Sequence, residues 1–225
     1  MSIETGIPDD MLAAHPETAY FWGRVAADGE CERDCVTVRT NDETAARRLA
    51  AIAGADQVDQ RIHEREYAHD ATVTRREDEY TVQVFGSLAD RASAALGLPY
   101  DGEAGGYRLD ALRKHDRELL RGLLEGCGTV CYKSADDEDE EDAVGVSFVH
   151  EDEQLLRTVQ TLLDRVPVDA PHGDLSDASS GYWFGLDDAA APDFGQWVYE
   201  GSDDTGLFAP SRRRKLRRSI ERVEP

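Results

Sequence analysis

Two short stretches of this chain are copies of one motif. AYFWGRVAADGE runs from Ala19 to Glu30, and ELLRGLLEGCGT runs from Glu118 to Thr129. Aligned without gaps, Gly23 matches Gly122, Val25 matches Leu124 and Gly29 matches Gly128, while Asp28 faces Cys127. An internal repeat constrains architecture more than any single motif, because each copy must belong to a similar supersecondary unit. Two related halves joined head to tail are expected. The acid-for-thiol mismatch marks where their chemistry diverges.

The rest of the chain reads in the same two-part order. Residues 1–15 form a lead-in, and Pro16 suits the first turn of a helix that carries the first motif. CVTVRT (Cys35 to Thr40) alternates as a strand does, with Val36 and Val38 on one face and Thr37 and Arg39 on the other. Thr40 to Glu43 resembles a capping box, opening a helix in which Ala45, Leu49 and Ile52 share a face and which Gly54 ends. The polar run from Gln57 to Asp70 gives no clear signal. ATVTRR (Ala71 to Arg76) and YTVQVF (Tyr80 to Phe85) read as two strands joined by a turn at Glu77, Asp78 and Glu79. A helix from Ser87 to Gly97 closes a first half over 16–100. A Gly-rich linker over 101–108 leads to a second half over 109–200. It has a helix with Leu112, Leu119, Leu120, Leu123 and Leu124, strands TVCYK and AVGVSFV, a helix from Glu151 to Arg165, the strand GYWFGL and a helix to Tyr199. One strand between Val168 and Ser180 stays unplaced. The tail, 201–225, carries SRRRKLRR from Ser211 to Arg218.

Composition bounds the partners. The chain of 225 residues suits one large domain or two small halves sharing an interface. Its formal charge is −22, with lysine only at Lys114, Lys133 and Lys215. Abundant acid with scarce lysine fits a halophilic, archaeal cytoplasm, where salt screens self-repulsion. The charge therefore speaks only weakly against nucleic acid. No apolar run approaches the ~18 residues of a membrane span, and MSIETGIPDD shows no basic region followed by an apolar one. A cytoplasmic chain is expected, with four cysteines outside any disulfide framework.

At this point the sequence resembles a family. FWGRVAADG fits the nine-residue signature of LAGLIDADG homing endonucleases, LRGLLEGCG fits it less closely, and WVYEGSDDTGLFAPSRRRKL is similar to the family's usual aromatic and basic ending. The resemblance implies an α+β fold of two pseudo-symmetric αββαββα halves in a monomer, with saddle-shaped antiparallel sheets that receive double-stranded DNA. It also implies that the motif helices pack across a pseudo-twofold axis, allowed by small residues at Gly23, Ala26, Ala27, Gly122 and Gly126. The last acid of each motif would then hold Mg²⁺ for phosphodiester cleavage. Asp28 fills that position in the first copy. Cys127 fills it in the second, and a thiol is a poor ligand for a hard cation. Glu125 is the other nearby acid, on a different helical face. Catalysis is expected to be degenerate, with Asp28 vestigial.

Two further sites follow from patterns. Alternation puts Thr37, Arg39, Thr72, Thr74, Arg76, Thr81 and Gln83 opposite the buried valines, joined by Lys133 and Ser147 from the second half. This face either tracks phosphates and reads base edges or is the wet side of a half-buried sheet. Arg212, Arg213, Arg214 and Lys215 either neutralise phosphates or pair with the acidic surface from an amphipathic terminal helix. Cys31 with Cys35, and Cys127 with Cys131, are each spaced C-x₃-C. They are a candidate Zn²⁺ set if they converge near the axis, and buried unliganded thiols otherwise. The six histidines show no ligand spacing, and no helix-turn-helix is visible. The reading is a catalytically degenerate DNA-binding protein, a domesticated regulator. A residual endonuclease using Asp28 and an accessory protein of a metabolic pathway such as cobalamin biosynthesis are the alternatives, the last with no residue in its favour.

Overall fold

The structure, a computed structural model, describes residues 10–55, 58–67, 70–135 and 142–223, with the backbone alone at 63–67 and 70–77. The first half runs α1 (Pro16–Asp28), β1 (Gly29–Glu32), β2 (Cys35–Thr40), α2 (Glu43–Ala53), β3 (Val58–Tyr67), β4 (Asp70–Phe85) and α3 (Leu88–Leu96). A 3₁₀ turn over Leu109–His115 leads into the second half: α4 (Asp116–Cys127), β5 (Gly128–Lys133), β6 (Ala143–His150), α5 (Glu153–Leu163), β7 (Ser176–Ala178), β8 (Gly181–Gly185) and α6 (Ala191–Tyr199). The chain closes with α7 (Ser202–Thr205) and α8 (Pro210–Val223). Each half holds one four-stranded antiparallel sheet, in the orders β1-β2-β4-β3 and β5-β6-β8-β7. This is the α+β, twice-repeated architecture that the duplicated motif predicts. Among the described residues no helix is long and apolar enough to cross a membrane.

Local chemistry explains the boundaries. Pro16 sits in the first turn of α1, where its missing N–H is no loss, and His15 with Thr18 completes a reciprocal cap. Asp42 caps α2 by accepting from the backbone N–H groups of Thr44 and Ala45, and Asp152 caps α5 through Gln154. The cap is thus Asp42, and Thr40 is the last residue of β2. Gly54 and Gly97 end α2 and α3 in the left-handed region, at φ 64° and 66°.

Two strand assignments change. The polar run is β3, and the segments read as two strands with a turn are one 16-residue strand, β4. Glu77, Asp78 and Glu79 pair with His63, Ile62 and Arg61 within it. Cross-strand pairing supplies the order that turn-like composition argued against. The unplaced strand is the short β7.

The core lies between the sheets and the motif helices. Val36, Val38 and Val82 in one sheet, and Val144, Val146, Phe148 and Phe184 in the other, are buried against the helical layer. Helices α1 and α4 run side by side at its centre. A Cβ on Gly23 would run into the carbonyl oxygen of Leu119, one on Gly122 into that of Tyr20, and one on Gly126 into the Ala27 methyl. These small residues therefore set the helix separation. Buried around them are Tyr20, Phe21, Trp22, Leu119, Leu120, Leu123 and Leu124, each contributing roughly 1.5–3 kcal/mol of burial.

Candidate nucleic-acid interface and motif-helix junction

The buried seam between α1 and α4 is polar at one end. Tyr20, Arg24 and Asp28 are spaced four apart and share a stripe of α1, while Arg121 and Glu125 do the same on α4. Arg24 Nη2 donates to Asp28 Oδ2 at 2.5 Å and to the carbonyl of Arg39 at 3.0 Å. Tyr20 Oη donates to Glu125 Oε2 at 2.6 Å, and the Ala209 N–H donates to Glu125 Oε1 at 2.8 Å. Arg121 donates to the carbonyls of Val198, Leu207 and Glu200 at 2.7, 2.9 and 3.3 Å. Arg24 thus answers Asp28 within α1, Glu125 is held across the seam by Tyr20 and by the Ala209 N–H, and Arg121 is satisfied by backbone carbonyls, so each buried charge has a partner.

Burial dominates the proton affinities. It raises the pKa of Asp28, opposed chiefly by Arg24, and raises that of Glu125, opposed by Arg24 and by the hydrogen bonds of Tyr20 and Ala209. Burial and the Glu125 charge push the phenols of Tyr20 and Tyr199 well up. Burial works against the charge on Arg24, but Asp28, Tyr20 and Glu125 outweigh it and raise its pKa. A cavity of about 230 Å³ opens here, lined by Arg24, Asp28, Arg39, Glu125 and Arg212 among others.

The sheet faces turn away from the helices. Register pairs Thr37 with Gln83 and Arg39 with Thr81, opposite the buried Val36, Val38 and Val82. In the second half Thr129, Ser147 and Lys133 lie opposite the core residues Val130 and Val146. The large apolar side chains that this face leaves exposed are Phe85, at 74%, and Trp183, at 42%. Two cations on it are paired: Arg39 makes two hydrogen bonds to Glu30 at 3.0 and 3.1 Å, and Lys133 makes two to Asp188 at 2.6 and 2.9 Å.

A family model described as "Putative archaeal homing endonuclease" matches residues 1–225. The chain belongs to the LAGLIDADG homing-endonuclease family. Similar solved structures include full-length DUF199/WhiA from "Thermatoga maritima", at 11% identity and a TM-score of 0.49. That match covers 97% of this chain but 63% of WhiA, so the chain spans under two thirds of that relative. The endonuclease I-DmoI, in complex with DNA and Mn, matches at 13% identity over 85% of this chain and 99% of its own, with a TM-score of 0.47. The I-LtrWI LAGLIDADG endonuclease bound to target DNA matches at 9% identity, TM-score 0.46, covering 92% of this chain and 95% of its own. Among curated proteins, none matches the sequence.

Thr72, Thr74 and Arg76 were grouped with Thr81 and Gln83 by breaking the strand between them. The side chains of Thr72, Thr74 and Arg76 lie outside the described residues. Both oxygens of Glu125 accept internal hydrogen bonds, from Tyr20 and from the Ala209 N–H.

The cysteines do not form one cluster: among the described residues, no three His, Cys, Asp or Glu side chains gather as a metal would need. The cause is strand parity. Cys31 pairs with Val36 and points to the core, whereas Cys35, with its Sγ 3.6 Å from Thr37 Oγ1, is on the open face with Cys131. Burial pushes the thiols of Cys31 and Cys127 up to about 12, so both stay protonated at neutral pH.

The basic tail is an amphipathic helix. In α8, Leu216, Ser219 and Ile220 are buried against the second sheet and α6, while Arg214, Lys215, Arg217 and Arg218 are exposed. Arg213 is tied to Asp203 and lies over the Phe208 ring, and Arg212 reaches the carbonyl of Gly128 at 3.4 Å and the junction cavity. Sequence reading missed Tyr20, Arg24 and Arg121. The available signal was charge or hydroxyl at four-residue spacing inside otherwise apolar helices.

Proposed function

We propose that the chain is a LAGLIDADG protein that binds duplex DNA across its two open sheet faces and has lost cleavage, acting as a domesticated regulator. The observation that carries the reading is the hydroxyl, amide and cation ladder of Gln83, Arg39–Thr81, Thr129–Ser147 and Lys133, presented opposite the core in both halves. Such groups hydrogen-bond phosphates and base edges. Phe85 and Trp183 add apolar surface that packs on sugars and thymine methyl groups of a duplex. Arg39 and Lys133 each exchange a carboxylate for a phosphate on binding, a swap that also stops either cation from binding anions indiscriminately.

Loss of cleavage rests on the unequal motif ends. Two-metal cleavage needs two hard anionic ligands, and this chain offers one carboxylate, already ion-paired, and one protonated thiol. The test is duplex binding at several salt concentrations for the wild type, Arg39→Gln and Lys133→Gln. Each variant is expected to weaken binding and to lower the salt slope by about one. Unchanged affinity and slope in both variants would remove the sheet faces from the interface.

A further inference from the structure

The chemistry of active family members calls for a divalent cation at the ends of the motif helices, and the donor set here does not fit one. Cys127 offers a soft thiol that is hydrogen-bonded to the Leu123 carbonyl, Glu125 has both oxygens engaged, and Asp28 already holds a cation. We infer that Arg24 is this site's own cation: its guanidinium takes the place of the metal, and the junction cavity is an anion seat that Asp28 fills from within.

Burial and geometry carry the argument. Arg24 is only 2% exposed, yet it ends within 2.5 Å of a carboxylate that is 28% exposed and lines the cavity. Its second hydrogen bond, to the Arg39 carbonyl, fixes the fork against the start of the sheet. A flexible ammonium would not hold two acceptors in that plane. Arg39 from β2 and Arg212 from α8 line the same cavity, and both favour the charged form of Asp28. Arg24 therefore bonds the carboxylate directly, while Arg39, whose own hydrogen bonds go to Glu30, and Arg212 add positive charge at longer range.

The cavity's other acids are committed elsewhere. Glu125 is held by Tyr20 and Ala209, Asp78 accepts from Gln60, and Glu79 has a partner of its own. Asp28 Oδ1 and Arg24 Nε lack hydrogen-bond partners among the described residues. The Asp28–Arg24 pair thus leaves an acceptor and a donor unanswered, as an anion seat filled by an imperfect internal stand-in would. A divalent cation would have to settle beside a buried guanidinium, whereas a phosphate would meet the arginines with charge of the right sign. The second half has no equivalent: Leu123 stands where Arg24 does, and Cys127 where Asp28 does.

The inference deepens the reading of lost cleavage. Its probes are Mn²⁺ and inorganic phosphate rather than DNA, so it and DNA binding can fail separately. In the wild-type chain, Mn²⁺ is expected to leave the backbone amide signals of Asp28, Gly29 and Gly128 no broader than those of exposed acidic segments. Selective broadening of those three amides would overturn the inference, and this measurement needs no variant. Asp28→Asn empties the seat, so calorimetry should find inorganic phosphate bound about tenfold more tightly than by the wild type. Adding Arg212→Gln should take most of that gain away. Phosphate affinity equal to or weaker than wild type in a folded Asp28→Asn would overturn it.

Discussion

The two halves agree where backbone meets backbone and at their helix caps, and they disagree along the charged seam of the motif helices. Gly23 and Gly122, and Gly29 and Gly128, serve the same close approaches in both copies, and Asp42 and Asp152 cap equivalent helices. Each cap also takes a hydrogen bond from a distant connecting segment: Tyr107 Oη, in the linker, donates to Asp152, and the Ser211 N–H, at the start of α8, donates to Asp42. The polar seam is not shared. In the first copy it runs Tyr20, Arg24, Asp28 toward the cavity. In the second, Arg121 and Glu125 turn to the closing segment at Val198, Leu207 and Ala209. Steric positions tolerate no drift because a methyl group has nowhere to go. Charged positions have been divided, one copy keeping the site and the other fastening the C-terminal segment over it.

The largest expected effect is on what the halves share. Gly23→Ala or Gly122→Ala places a methyl against a facing carbonyl, so each should cost about 3 kcal/mol or more and push α1 from α4. Gly54→Ala meets no atom and pays only for its left-handed backbone, about 1 kcal/mol. Denaturant unfolding ranks the three, and equal losses would remove the close approach as the reason for the repeat.

Next is an equivalent pair that differs. Arg121 satisfies three carbonyls of the closing segment, while Trp22, at the same motif position, donates once, to the carbonyl of Met11 at 2.6 Å. Arg121→Met should cost about 3 kcal/mol and Trp22→Phe about 1 kcal/mol. Proteolysis should then nick 198–209 in the first variant and the lead-in in the second. The opposite pattern would mean that neither residue acts as a fastener.

The smallest effect concerns Glu125. Its folded pKa lies above the unfolded value, so the cost of burying its charge applies at pH above the folded pKa and vanishes below the unfolded one. Glu125→Gln should therefore gain stability relative to wild type as pH rises from about 4 to 7. A relative loss over that range would show Glu125 to be a net stabilising anion.

Much of this was legible in the sequence. The repeat, the αββ order and the glycines at the helix crossing follow from spacing alone, because steric requirements leave the same residues in both copies. The strand over 58–67 and the continuity of β4 through 77–79 did not, because their composition is polar and their order comes from pairing with each other. The motif acid and its thiol counterpart were visible at Asp28 and Cys127. Arg24 as the partner of Asp28 was not weighed, although i,i+4 spacing inside an apolar helix was available. The cysteine spacing misled because four positions across a hairpin turn carry Cys31 and Cys35 to opposite faces of the sheet.

The most direct test is to offer the full chain a library of genomic duplex fragments at molar KCl with millimolar Mg²⁺, then recover what binds. Selective capture of a subset of fragments, every one intact, is the predicted result. Mg²⁺-dependent strand breaks that disappear in Asp28→Asn would contradict it and return Asp28 to a catalytic role.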